Sequence, residues 1–222
     1  MGQSIRPHAD YCGDKLVKRA GILVLSALAL SACATGQDNI EDYMSHYGIK
    51  PYTLEQFPHC RGYGCRYVDQ VALNKAQWKN VSKPFRPGAK TAEKERTQIA
   101  KAIAVFEQEV GRMTGTNEDI YGTFQEMGAH QLDCVDESTN TTIYLDLLAR
   151  KGLLKFHTLG APVRRAPIGR WPHQTATIID SETQQRFAVD SWFHDNGIKA
   201  EIVPLDIWEK GWKPDTPVQN SE

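Results

Sequence analysis

Apolar side chains at Ile99, Ile103, Phe106, Val110 and Met113 step by 4, 3, 4 and 3 residues. Glu93, Lys94, Glu95, Arg96, Lys101, Glu107, Glu109 and Arg112 take most positions between and before them. The spacing gathers the apolar set on one stripe of a helix and predicts a solvated face for the charges. Pro84, Pro87 and Gly88 bound this helix on one side and Gly115 on the other. A second helix is predicted over 134–150. Asp133 is its N-cap, Asp136 and Glu137 lie in its first turn, and Lys151-Gly152 supplies its stop. Val135, Tyr144, Leu145, Leu147 and Leu148 give it an apolar face. The pattern then changes to a period of two over 174–179, breaks in the polar cluster 180–185, and resumes over 186–192, which predicts an antiparallel hairpin. Shorter strand candidates lie at 153–158 and 201–203, and Pro204 opens a candidate terminal helix reaching 212. Helices first and strands later, with no internal repeat, predict one α+β domain.

Residues 1–32 carry a different pattern. Arg6, Lys15, Lys18 and Arg19 precede an uncharged stretch over 20–32, which is too short for a stable membrane span and has the length of a secretory signal core. Leu30-Ser31-Ala32-Cys33 resembles the bacterial lipobox, so the resemblance implies cleavage before Cys33 and lipid on that cysteine. An ordinary signal peptide followed by a chance cysteine is the competing reading. Ala34, where a retained lipoprotein has aspartate, implies the outer membrane, facing the periplasm. The expected organisation is a signal peptide at 1–32, a lipidated tether at 33–44, an N-terminal extension at 45–90 and the main domain at 91–216.

Composition narrows the function classes. The 222 residues are 41% apolar and 24% charged with a net charge of -1, within the globular range and without a basic arm. Removing residues 1–32, with four basic and two acidic side chains, leaves -3. A mildly acidic chain has no electrostatic reason to bind nucleic acid. Its expected link to a membrane is the lipid on Cys33, and multiple acyl chains make such an anchor stable.

Of the five cysteines, Cys12 leaves with the signal and Cys33 takes the lipid. Cys60-Arg-Gly-Tyr-Gly-Cys65 holds two more around a flexible loop, and export to an oxidising compartment favours a disulfide there. A metal site with His59, or two free thiols, are the alternatives. Cys134 is left as a single thiol at a predicted helix start, where free amides stabilise a thiolate while Asp133, Asp136 and Glu137 oppose it.

The hairpin supplies partners for that thiol. A turn near 182 makes opposed positions sum to about 365, so Asp190 falls within two positions of the residue facing His173. A thiol nucleophile needs a base to take its proton and a carboxylate to orient the base. Asp133-Cys134-Val135-Asp136-Glu137, Trp171-Pro172-His173 and Phe187-Ala188-Val189-Asp190-Ser191-Trp192 resemble, in order, the three signatures of the transglutaminase-like branch of papain-like cysteine enzymes. The likeness runs from about Thr97 to Trp212 and extends to uncharacterised proteobacterial lipoproteins. It implies a papain-like core with the nucleophile at a helix N-terminus packed on an antiparallel sheet. Cys134 would be nucleophile, His173 base and Asp190 orienting acid, in hydrolysis or acyl transfer on an amide or peptide bond of a substrate in the cell envelope, without a cofactor. The same branch contains inactive members, so an inactive lipoprotein that binds a peptide or cell-wall fragment is the alternative.

The sequence departs from that pattern at the oxyanion donor: Gln131 and Gln125 both miss the usual spacing, leaving Gln131 a weak donor beside the main-chain amide of Cys134. No calcium loop is evident, although Asp133, Asp136 and Glu137 are acidic enough to hold an ion. Cys134, His173 and His194 form a zinc alternative that matches no common spacing. Trp171, Trp192, Trp208 and Trp212 line a cleft or fill the core, with core packing favoured for Trp208 and Trp212. Arg164, Arg165 and Arg170 read as a solvated loop before His173, with an acidic substrate as the alternative.

Overall fold

The long amphipathic pattern folds as α3, Ala92–Thr114, in a computed structural model that describes residues 39–123, 128–166 and 172–219. The expected signal segment, Cys33 and residues 34–38 lie outside the described residues, as do Gln125, Arg170 and Trp171. Thr91 caps α3 by accepting from the Lys94 amide, and Gly115 ends it with a φ of 82°, a left-handed turn that favours glycine. Ile99, Ile103, Phe106 and Val110 are buried, while Met113 at the end of the stripe is exposed.

The solvated face expected for the α3 charges is interrupted, because Glu95, Glu107 and Glu109 are buried. Each has a partner far along the chain or on a neighbouring helix. Glu95 accepts from the amides of Lys155 and Phe156 at 2.7 and 3.0 Å and meets His157 Nδ1 at 3.0 Å. Glu107 accepts from the Gly197 amide, and Glu109 from the Asn80 side chain. Local charge spacing carries no information about such contacts, so the pattern reads as solvent-facing when part of it is not.

The second helix, α4, spans Cys134–Arg150 as the sequence predicts. Asp133 Oδ1 accepts from the amides of Val135 and Asp136, both at 2.9 Å, and Asp136 Oδ2 accepts in return from the Asp133 amide at 3.2 Å, a reciprocal N-terminal cap. Burial runs around the whole helix from Asp136 to Leu145, polar residues included.

One antiparallel sheet lies against α4, with strands in the order β3 (His157–Arg165), β4 (His173–Asp180), β5 (Arg186–Asp190) and β6 (Glu201–Pro204). The hairpin register matches the expected sum, with Ala176 opposite Val189 and Thr177 opposite Ala188. Asp180 Oδ1 holds the turn by accepting from the amides of Glu182 and Thr183. The strand expected at 153–158 begins instead at His157, because residues 151–153 still close the end of α4 through the Leu153 amide to Leu148 O. Arg164 and Arg165, expected in a loop, therefore lie in β3 opposite Gln174 and His173. The terminal helix α5 is short, Leu205–Glu209.

Residues 40–44, expected as part of a polar tether, are helical. Asn39 caps α1, Ile40–His46, by accepting from the Glu41 amide, and Tyr43 and Met44 are buried. A hairpin of β1 (Phe57–Arg61) and β2 (Tyr67–Val71) follows, then α2, Lys75–Ser82. A disulfide joins Cys60 to Cys65 across the hairpin loop, whose Gly62 and Gly64 have φ of 78° and 66°. Tyr43, Phe57, Val81, Phe106, Tyr144 and Ile178 belong to one hydrophobic cluster. Phe106 and Tyr144 stack at its centre with ring centroids 4.5 Å apart. Among the described residues no helix is long and apolar enough to cross a membrane.

Replacing both cysteines of the loop (Cys60→Ser with Cys65→Ser) is expected to lower stability by about 2 kcal/mol, from the loop-closure entropy restored to the unfolded chain. Urea denaturation with and without dithiothreitol checks this. The reductant shifts the midpoint of the unsubstituted chain toward that of the variant and leaves the variant's unchanged.

Candidate functional site

Three elements converge near the start of α4. Cys134 is the first residue of that helix, His173 the first of β4 and Asp190 the last of β5. The final ladder pair of the two strands is Ala176 with Val189, so His173 and Asp190 lie beyond the ladder. There their side chains meet, His173 Nε2 to Asp190 Oδ2 at 2.7 Å, and both residues are buried.

Asp190 Oδ2 also accepts from the indole Nε1 of Trp208 at 2.7 Å. An ionised carboxylate oxygen accepts only, so the bond from His173 places the imidazole proton on Nε2. In the neutral ring Nδ1 then carries the lone pair, and it is buried without a hydrogen-bond partner among the described residues, the thiol of Cys134 included. The rings of Trp192, Phe193 and Trp208 stand 4.6, 5.1 and 5.4 Å from the His173 ring. They keep water from the histidine–aspartate bond, which strengthens it. Arg165 lies over the Trp208 ring with its guanidinium carbon 4.1 Å from the centroid, and donates to Trp208 O and Trp212 O. Trp208 thus fills the core, as expected, and also fixes the acid, a role visible only once its indole is seen against Asp190.

Cys134 is half-buried as a residue. Burial of the sulfur, with the charges of Asp133 and Asp190, pushes the thiol up to about 12, while the main-chain amides of Gln174 and of Cys134 itself act in the opposite sense. At neutral pH the resting group is therefore a neutral thiol. Gln174 is a site residue that sequence reasoning missed. Its only local signal is adjacency to His173, and its relation to the sulfur depends on how α4 packs on the sheet.

Gln131 stands close in sequence but is engaged elsewhere. Its Nε2 donates to Glu118 O at 2.9 Å and its Oε1 accepts from the Ile120 amide at 3.1 Å, so the side chain braces the segment after α3. His194 is likewise engaged, with Nε2 2.8 Å from Glu201 and Nδ1 accepting from the Val218 amide at 2.9 Å. Among the described residues one group of three potential metal ligands lies close together, Cys60, Cys65 and Asp136, and its two sulfurs are bonded to each other.

The acidic residues of the first turn serve as acceptors. Asp136 receives the amides of Tyr63 and Cys65 from the disulfide loop at 2.7 and 2.6 Å, and Asp133 receives that of Gly64 at 3.2 Å. Glu137 accepts from Ser191 Oγ at 2.6 Å. Burial and mutual repulsion push Asp136 and Glu137 up to about 7 and Asp119 up to about 9, and raise Glu107 well above the carboxylate range. No protein-family model, curated protein or solved structure matches the chain.

These carboxyl groups favour their protonated forms in the folded chain and titrate near 4 once unfolded. Their stabilisation is complete below about pH 4 and is lost progressively from there up to the folded values of about 7 for Asp136 and Glu137 and about 9 for Asp119, at about 1.4 kcal/mol per pH unit for each titrating group. The urea midpoint is therefore expected to fall from about pH 5 to about pH 9, most steeply below about pH 7. Glu137→Gln, which cannot ionise, should flatten the part of that fall below about pH 7, whereas an unchanged slope there would remove Glu137 from the titrating set.

Proposed function

We propose that this chain is a transglutaminase-like cysteine enzyme of papain-like core, acting by thiol-dependent hydrolysis or acyl transfer on an amide or peptide bond. The observation that carries the reading is the free Nδ1 of His173, a buried base oriented by Asp190 through the opposite ring nitrogen. Cys134 at the start of α4 is the nucleophile that this base serves. As the sulfur attacks the carbonyl carbon, its proton passes to Nδ1, and the carboxylate of Asp190 stabilises the imidazolium through Nε2–H. The amides of Cys134 and Gln174 supply donors to the developing oxyanion. Collapse expels the amine with the proton from Nδ1 and leaves a thioester on Cys134, which water or an amine then resolves. Because the resting thiol is neutral, proton transfer accompanies attack and no thiolate is stored beforehand.

The substrate is proposed to be a peptide or protein of the bacterial envelope, met by a lipoprotein anchored through Cys33 to the outer membrane and facing the periplasm. Support for this location is the sequence around Cys33 together with the Cys60–Cys65 disulfide, a bond that persists in oxidising compartments. One observation favours the second reading, an inactive domain that binds a peptide or cell-wall fragment: the thiol makes no hydrogen bond to Nδ1.

Iodoacetamide labelling of Cys134 between pH 6 and 11 separates the two. An unassisted thiol titrating at about 12 holds on the order of one part in 10⁵ thiolate at pH 7. Catalysis predicts labelling at pH 7 well above that level, reduced about 100-fold in His173→Ala. Labelling confined to alkaline pH, and equal in both chains, would leave the binding reading standing and sink the enzyme.

A further inference from the structure

Cys134 and His173 are carried by different elements, so their separation depends on what locks the first turns of α4 to the start of β4. The lock is a buried polar cluster centred on Gln174, the residue after His173. Gln174 Nε2 donates to Ser138 Oγ at 3.0 Å and to the Tyr43 hydroxyl oxygen at 2.5 Å. Ser138 stands one turn beyond Cys134 on the same helix, and its Oγ donates to Val135 O.

Tyr43 comes from α1, far outside the segment that carries the three signatures, and is 2% exposed. Its hydroxyl also meets Ser138 Oγ at 3.0 Å and Thr139 Oγ1 at 2.9 Å. A phenol has one proton and two lone pairs, so three partners exhaust its capacity. Both protons of the Gln174 amide are used in the same cluster. A buried network of this kind resists displacement, because a shift that breaks one of these bonds leaves a polar group unpaired at a cost larger than an ordinary hydrogen bond contributes.

We infer that Tyr43 is a positioning residue of the thiol site, fixing through Gln174 and Ser138 the distance between the nucleophile on α4 and the base on β4. The helix α1 is on this account part of the working unit. The inference rests on the proposed thiol chemistry for its catalytic meaning, while the clamp itself is a statement about geometry.

The test uses the full chain with Tyr43→Phe, which keeps the ring and removes the hydroxyl. Tyr144→Phe serves as the control, a buried phenol further along α4 whose hydroxyl bonds His59 at 3.0 Å and not the clamp. Both are expected to lower thermal stability by similar amounts. In a double-mutant cycle read by iodoacetamide labelling at pH 7, His173→Ala should slow labelling about 100-fold beside Tyr43 and less than about threefold beside Tyr43→Phe. Beside Tyr144→Phe the effect of His173→Ala should stay intact. An undiminished effect beside Tyr43→Phe, with lowered stability alone, overturns the positioning role.

If His173→Ala has no effect in any background, the proposed chemistry fails and the clamp is judged separately by thiol trapping. In His173→Cys, mild oxidation should bond the new thiol to Cys134, and adding Tyr43→Phe should slow that bond about tenfold, read by mass spectrometry. Equal trapping with and without the hydroxyl, or none in either chain, overturns the clamp.

Discussion

The structure depends on the burial of a polar helix. From Asp136 to Thr142 the first turns of α4 hold seven polar side chains in succession, all within the interior. Thr142 bonds back to Ser138 O on the helix itself, and the others draw on partners at distant points of the chain, since an unsatisfied group in a low-dielectric surrounding is costly. The partners explain much of the remaining architecture. The disulfide loop meets Asp136, the Cys60 main chain meets Asn140 at both its amide and its carbonyl, α1 meets Ser138 and Thr139, and Ser191 meets Glu137 and Thr141. Elements that look like an appendage in sequence are required to satisfy this helix.

The same requirement shapes the chemistry at its first residue. A helix start surrounded by carboxylates is a poor place to store a thiolate, and burial adds to the difficulty. On the proposed reading, the arrangement around His173 answers this with a base bonded to Asp190 through one ring nitrogen and enclosed by three aromatic rings. Trp208 contributes twice, as a wall of the enclosure and as a second donor to the same carboxylate oxygen. Two N–H groups on one oxygen hold the carboxylate in one orientation.

The parts legible in the sequence are those governed by local rules. The bounds of α4, its cap at Asp133 and the register of the β4–β5 hairpin follow from capping chemistry, periodicity and turn length, and together they bring His173 to Asp190. What was not legible depends on long-range partners. Glu95 and Glu107 look like surface charges until the amides that bind them are known. Tyr43 sits in a stretch that reads as a polar tether, because one tyrosine and one methionine do not make a periodic pattern. Gln131 misses the usual spacing of an oxyanion donor, and only the fold reveals that it braces residues 118–120.

The disulfide loop also acts on the start of α4. Its three amides reach Asp133 and Asp136 only when residues 60–65 are drawn into a tight curve, and the covalent bond between the sulfurs maintains that curve. A chain whose loop is still reduced retains the local cap of α4 but holds its outer acceptors less firmly. Oxidation of the loop therefore tightens the contacts that fix the first turn of the helix bearing Cys134.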